Sequence, residues 1–198
     1  MPRKIQSSRS HAYVHLVLTI MVLLSYTQSG LSQPNSELAS VFSEGIFDTQ
    51  WGQSLEEVSA IYPDAKIYDQ GKSTSYYRIK DGRTIFSIDR KKSHDITFRF
   101  DNDKLTEVVV ELSSSDWVVL RDQIQANFGM YNDNRCATIG SAADGRFSGT
   151  TQVWCDLASG IYLIESVGMS GLLGSSTFLT VQNRAIEKVE SSKSELGF

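Results

Sequence analysis

Histidine chemistry is almost absent from this sequence. Two of its three histidines, His11 and His15, lie in an apolar N-terminal stretch, so only His94 is available as a general base. His94 ends the charged segment 90–94 (RKKSH), between two predicted strands. We expect the neighbouring cations to lower its pKa and the loop to leave it exposed. Since no Gly-x-Ser-x-Gly motif occurs either, the pattern favours a solvated loop over a catalytic site.

Carboxylates offer one further route to catalysis. Glu107 and Glu111 are an even number of residues apart on a predicted strand, so they share one face with Val109. The same alternation places Val108 and Val110 on the buried face. Two carboxylates that flank a substrate are the requirement of many hydrolases. A hydrolase that uses acidic residues is therefore our third and least favoured hypothesis.

The segment Asp101-Asn102-Asp103 has the composition that begins a calcium-binding loop. Such a loop needs glycine at its sixth position and glutamate at its twelfth. Here Thr106 and Leu112 stand at those positions. A hairpin turn explains the segment better, and we expect no metal and no cofactor.

The first 32 residues have the pattern of a secretory signal peptide. Basic residues precede an apolar run at 12–24, and the small residues Gly30 and Ser32 follow it. The disfavoured alternative is an uncleaved anchor, because a spanning helix needs about 20 apolar residues. We expect a mature protein that begins near Gln33, in the periplasm or secreted, without stable membrane insertion.

Loss of this signal makes the chain more acidic. Residues 1–32 hold three basic and no acidic residues, so 16 Lys+Arg remain against 23 Asp+Glu, a net charge of −7. An acidic surface repels phosphate backbones. We therefore expect no binding to nucleic acid.

Both cysteines, Cys136 and Cys155, lie in the mature chain. An even number of cysteines in an exported protein predicts a disulfide. The alternative is two free thiols or a two-sulfur metal site. A zinc site usually needs four ligands, and this sequence lacks the histidines and paired cysteines to complete one.

The elements that position these groups follow from local patterns. Ser54 and Glu57 form a capping box, and Pro63 ends the short helix that follows. Strands are predicted at 76–80 and 84–89 around an Asp81-Gly82 turn, then at 96–101 and 105–112, as a four-stranded meander. A second helix is predicted at 116–128, with Gly129 as its C-terminal stop. Its apolar face consists of Trp117, Leu120, Ile124 and Phe128.

Further strands are predicted at 151–155, 161–167 and 177–181. The predicted fold class is α+β, an antiparallel sheet of about six to seven strands with two short helices packed on one face. We expect a flexible leader at 33–40, a single domain at 41–183 and a polar tail at 184–198. Helix-plus-sheet units at 47–113 and 114–183 also fit two tandem sub-repeats.

Two segments carry a resemblance to a known group of proteins. The segments 51–58 (WGQSLEEV) and 98–105 (FRFDNDKL) resemble small exported bacterial modules of the beta-lactamase-inhibitor-like kind, which include outer-membrane assembly lipoproteins with the SmpA/OmlA domain. The resemblance implies a short helix beside an antiparallel sheet and a periplasmic interaction module. The chain lacks the lipid-anchored cysteine of the assembly lipoproteins.

Aromatic residues supply the candidate contact surface. Tyr76 and Tyr77 point to opposite faces of one predicted strand, so one of them should be exposed beside Arg99. Our main hypothesis is a non-enzymatic binding module that contacts an envelope protein or peptide through Tyr76, Tyr77 and Arg99. The second is a carrier of a small apolar ligand, with a pocket between helix and sheet lined by Phe86, Phe98 and Trp117.

Overall fold

The computed structural model describes residues 36–131, 136, 151–170 and 174–186. The elements are α1 (Ser36–Phe42), β1 (Gly45–Ile46), β2 (Thr49–Gln50), α2 (Leu55–Ile61), β3 (Lys66–Gln70), β4 (Thr74–Lys80), β5 (Asp95–Asp101), β6 (Lys104–Ser113), a 3-10 turn (Ser114–Asp116), α3 (Trp117–Phe128), β7 (Thr151–Asp156), β8 (Ile161–Ser170) and β9 (Gly174–Asn183). The predicted signal peptide, most of the predicted 132–149 loop and the predicted tail beyond 186 lie outside the described residues.

The main sheet has seven antiparallel strands in the order β3-β4-β5-β6-β9-β8-β7. Two meanders, β3 to β6 and β7 to β9, join where β6 pairs with β9. This is the predicted α+β class. The two meanders correspond to the proposed sub-repeats, whose relationship as repeats stays a prediction.

One face of the sheet, here called the inner face, holds the core. Directly paired residues form a buried row across six strands: Tyr77, Phe98, Val108, Val181, Leu163 and Trp154. Each such apolar side chain contributes roughly 1.5–3 kcal/mol through its removal from water. The row therefore joins both meanders into one hydrophobic core.

Among the described residues three helices pack on this face, where two were predicted. Phe42 of α1 contacts Phe128 of α3, with ring centroids 6.0 Å apart. Tyr62, the residue that ends α2, stacks on Phe98 of the sheet at 5.1 Å. Leu38 of α1 is fully buried. The prediction of a flexible leader at 33–40 is therefore wrong from Ser36 onward, because a short helix forms there and buries Leu38 and Phe42 while Val41 stays exposed.

The helix cap before α2 and the turn between β5 and β6 were predicted correctly from the sequence. The capping box of Ser54 and Glu57 is present at the start of α2. Asn102 and Asp103 form the turn between β5 and β6 with positive φ angles of 50° and 61°. Asp103 also accepts a hydrogen bond from the main-chain N–H of Leu55, 3.0 Å away. The segment that resembles a calcium loop thus links a hairpin to the start of α2.

The first meander differs from the predicted one. No strand forms at 84–89, because Ile85 and Ile88 close a tight turn on themselves, with positive φ at Phe86 and Ser87. Phe86 then packs edge-on against Phe128 of α3. Strand β3 was not predicted. No helix in the described part of the chain is long and apolar enough to cross a membrane.

Candidate functional site

Arg99 lies on the outer face of the sheet, where it is held by carboxylates. Its guanidinium is 3.2 Å from Asp101 and 3.8 Å from Glu107. Thr74 and Thr106 donate hydrogen bonds to the same Asp101 carboxylate. Burial lowers the pKa of Arg99, but the negative charges of Glu107 and Asp101 outweigh burial and raise it. This predicted contact residue is thus fully engaged within the sheet.

The two tyrosines of β4 lie on opposite faces, as alternation requires. Tyr77 is buried in the core row, and its hydroxyl donates to the carbonyl of Tyr62 at 3.1 Å. Burial, with a smaller contribution from Asp64, raises the pKa of its phenol. Tyr76 is half-buried on the outer face and pairs with Arg99 in register. Neither tyrosine is exposed, and the role assigned to Tyr77 as a surface contact is wrong.

His94 is buried, contrary to the exposed position predicted for it. Desolvation lowers its pKa most, the Glu111 carboxylate opposes that effect, and Arg90 and Lys91 lower the pKa further. Arg90 is buried as well. Its guanidinium donates hydrogen bonds to the main-chain carbonyls of Glu111 and Asp95, which compensate for the loss of water. The segment 90–94 therefore buries its two ends, Arg90 and His94, while Lys91, Lys92 and Ser93 between them are exposed as predicted for a solvated turn.

The paired carboxylates Glu107 and Glu111 share the outer face as predicted. Gln182 donates to Glu107. Glu111 accepts from the main-chain N–H of Asp95 at 3.0 Å and from the hydroxyl of Ser176 at 3.2 Å. Each carboxylate thus has its own structural partners. In the described part of the chain, no three His, Cys, Asp or Glu residues are placed to hold a metal ion.

Strand β7 forms one edge of the sheet, and a disulfide fastens it. Cys136 and Cys155 are bonded, with Sγ atoms 2.03 Å apart, which confirms the predicted bridge. Cys136 packs with Val153, Tyr162 and Ile164 on the outer face. On the inner face Trp154 is fully buried and donates to the carbonyl of Gly129 at 2.9 Å. Both faces of this edge are therefore covered.

Strand β3 forms the opposite edge, and all five of its residues are exposed. Ile67 and Tyr68 expose 52% and 58% of their surface. The pairing with β4 shifts between Ile67 and Asp69, which makes Tyr68 the extra residue of a β-bulge. Its ring lies over Arg78, whose guanidinium carbon is 3.3 Å from the ring centroid. An exposed isoleucine beside a held aromatic ring is the strongest apolar feature of this edge.

A gap adjoins the start of β3. The last pair of β3 with β4 joins Lys66 to Arg78, whereas β4 continues to Lys80. The chain before β3 turns away, since the Ala65 N–H donates to the carbonyl of Tyr62. The resulting cavity, called the β3 gap below, has a volume of about 510 Å³. It is lined by Asp64, Lys66, Ile67, Tyr68, Arg78, Ile79, Lys80 and Asp95.

The β3 gap is suited to binding rather than to acid–base chemistry. Asp95 accepts a hydrogen bond from Lys80 at 2.7 Å and lies 3.4 Å from Arg78, so its charge is compensated. The volume falls in the range of roughly 300–1,000 Å³ found for ligand pockets. Apolar walls and fixed charges can hold a partner, but the lining offers no nucleophile with an adjacent base.

The three residues predicted to line a pocket between helix and sheet lie in different surroundings. The ring of Phe98 stacks on the ring of Tyr62, and the ring of Phe86 packs edge-on against the ring of Phe128. Trp117 exposes 36% of its surface, and Arg121 lies over its ring at 4.4 Å. The prediction that Trp117 belongs to the buried face of its helix is wrong. The other three residues of that face are buried as predicted.

The β3 gap was missed by sequence reasoning because its signals are weak. Segment 66–70 (KIYDQ) is short and lacks clean alternation, since the bulge at Tyr68 interrupts the period of two. The one local signal for this strand was Gly71, which marks the turn after it.

No protein-family model, curated protein or solved structure matches this chain.

Proposed function

We propose that this chain is a non-enzymatic binding module that holds another protein or peptide at the β3 edge and the β3 gap. The observation that carries the proposal is the exposure of Ile67 and Tyr68 on an edge strand. Edge strands with exposed apolar residues invite pairing with another chain, and proteins usually protect them. Here both faces of the opposite edge strand are covered and a disulfide fastens it, whereas the side chains of β3 are all exposed.

The compartment belongs to the same proposal. A disulfide persists in oxidising compartments, and the bond between Cys136 and Cys155 supports export to the periplasm or the medium. If the protein is exported, N-terminal sequencing of the protein from its native cell should give a first residue near Gln33. A mature protein that retains residues 1–32 would contradict this part of the proposal.

The resemblance to beta-lactamase-inhibitor-like modules also fits the proposal. In both halves of the sheet a helix precedes an antiparallel meander. The resemblance implies an interaction module, and it remains a hypothesis about ancestry.

Site-specific crosslinking in the native cell tests the function. A photo-crosslinking amino acid replaces Tyr68, and a matched variant carries it at Leu157, which is 55% exposed in the turn after β7. The two sites have similar exposure and lie beside opposite edges of the sheet. We expect a discrete adduct from position 68 that is absent at position 157. Equal adducts at both positions, or none at position 68, would contradict binding at the β3 edge.

A further inference from the structure

We propose, on the basis of the function proposed above, that the β3 gap binds an extended segment of the partner that carries acidic side chains. Main-chain geometry supplies the first reason. The Asp81 N–H donates to the carbonyl of His94, and the Asp95 N–H points toward β6, where it donates to Glu111. Hydrogen-bonding directions alternate along antiparallel strands. The N–H and C=O of Lys80 therefore point away from β5 and into the gap.

A strand that entered the gap would continue β3 past Lys66. It would offer the main-chain partner that Lys80 lacks at this edge among the described residues. Peptides commonly bind in this way, by adding a strand to an open sheet edge. An extended segment is thus favoured over a helix, which satisfies its own main-chain hydrogen bonds and offers none to the edge.

The side chains of the gap add selectivity. Ile67 and Ile79 provide apolar contacts for alternate side chains of an added strand. Tyr68 is already fixed over Arg78, so its ring is ordered before a partner arrives. A preordered aromatic contact lowers the entropic cost of binding.

The charges that line the β3 gap favour a partner segment with acidic side chains. The lining holds the cations Lys66, Arg78 and Lys80 against the carboxylates Asp64 and Asp95, a surplus of one positive charge on a chain with a net charge of −4. Arg78 and Lys80 are both engaged with Asp95. Within the part of the chain that the structure describes, neither Lys66 nor Asp64 makes an ion pair, so the surplus positive charge comes from all five groups of the lining together. Complementary charge mainly gives specificity, and Lys66 would select an acidic residue.

Binding of two capped pentapeptides tests this inference. One alternates valine with glutamate, and the other alternates valine with lysine. Each is titrated into isotope-labelled wild-type protein while the amide signals of Tyr68 and Lys80 are followed by NMR. We expect the acidic peptide to shift both signals and to bind more tightly than the basic one. A third peptide, acidic but N-methylated at its central amide, should bind more weakly because it loses a main-chain donor.

Charge reversal provides the matched pair of variants. Lys66→Glu removes the free cation of the gap, whereas Lys72→Glu makes the same change in the exposed turn at the other end of β3. We expect the acidic peptide to bind Lys66→Glu about tenfold more weakly, and the Lys72→Glu variant like wild type. Lys66→Glu should in turn prefer the basic peptide, which also shows that this variant is folded.

Three results would overturn the inference: equal binding of both peptides, equal weakening by both variants, or no shift at Tyr68 and Lys80. These results are separate from those of the crosslinking experiment. An adduct at position 68 together with charge-independent peptide binding would keep the binding module and reject an acidic partner.

Discussion

The two edge strands of the sheet, β7 and β3, differ in how far their side chains are buried. At β7 both faces of the edge strand are covered, since Trp154 is buried on one face and the Cys136–Cys155 bond lies on the other. At β3 every residue is exposed, and only a bulge interrupts the edge. We therefore propose that stability depends mainly on the β7 edge and that recognition takes place at the β3 edge. Substitutions at β7 should therefore affect folding, and substitutions at β3 should affect binding.

The largest effect is expected from truncation of the buried tryptophan. Trp154→Ala removes a fully buried ring and its hydrogen bond to Gly129, so the free energy of unfolding should fall by about 3–5 kcal/mol. Urea unfolding followed by circular dichroism measures this change. Trp117→Ala, at an exposed tryptophan, is the control and should cost much less. Similar losses in the two variants would contradict the assignment of the core.

Removal of the disulfide is expected to have the next largest effect. The bond closes a loop between cysteines 19 residues apart, and the double variant Cys136→Ser/Cys155→Ser should lose roughly 3 kcal/mol in the chain-entropy model. Unfolding curves with and without reductant measure it. Reductant should lower the stability of wild type and leave the double variant unchanged. An unaltered midpoint in the double variant would show that the β7 edge does not depend on the bond.

A buried carboxyl beside β7 should make stability depend on pH. Glu165 of β8 pairs with Gln152 in register, and its carboxylate is 3.3 Å from Arg121. Burial raises the pKa of Glu165, and Arg121 only partly opposes this. The folded state therefore holds this proton more tightly, and its contribution to stability is lost as pH rises from the ordinary value of 4.5 through the raised one.

Glu165→Gln should remove that dependence. Unfolding free energies measured at a series of pH values would then decline less steeply above pH 4.5 in the variant than in wild type. An identical decline in both proteins would locate the titrating group elsewhere.

His94 should give a smaller dependence of opposite sign. Its pKa is lowered, chiefly by desolvation, so the unfolded state takes up the proton first as pH falls below the ordinary value of 6.5. The stability of wild type relative to His94→Gln should thus decrease from pH 6.5 downward. The same series of unfolding curves, measured on both proteins, gives this difference. A difference that stays constant or grows in favour of wild type as pH falls would contradict the buried position of His94.

The sequence predicts those features that depend on neighbouring residues. The capping box of Ser54 and Glu57 and the Asn102-Asp103 turn are local, and both were predicted correctly. The valine alternation in β6 indicated its buried face for the same reason. Strand β3 was missed because exposure on both faces leaves no alternation to detect. The burial of His94 follows from the fold of the 81–94 loop around Arg90, which no local pattern specifies.

Stability and binding should separate at Tyr68, where the expected change in the free energy of unfolding is the smallest of the series. Tyr68→Ala removes a 58% exposed ring, so the free energy of unfolding should change by less than about 0.5 kcal/mol. Binding of the acidic pentapeptide should nevertheless be lost, because the ring forms part of the β3 gap. Both quantities are measured on one preparation of the variant beside wild type. Unchanged binding, or a loss of stability comparable to that of Trp154→Ala, would contradict the assignment of recognition to the β3 edge.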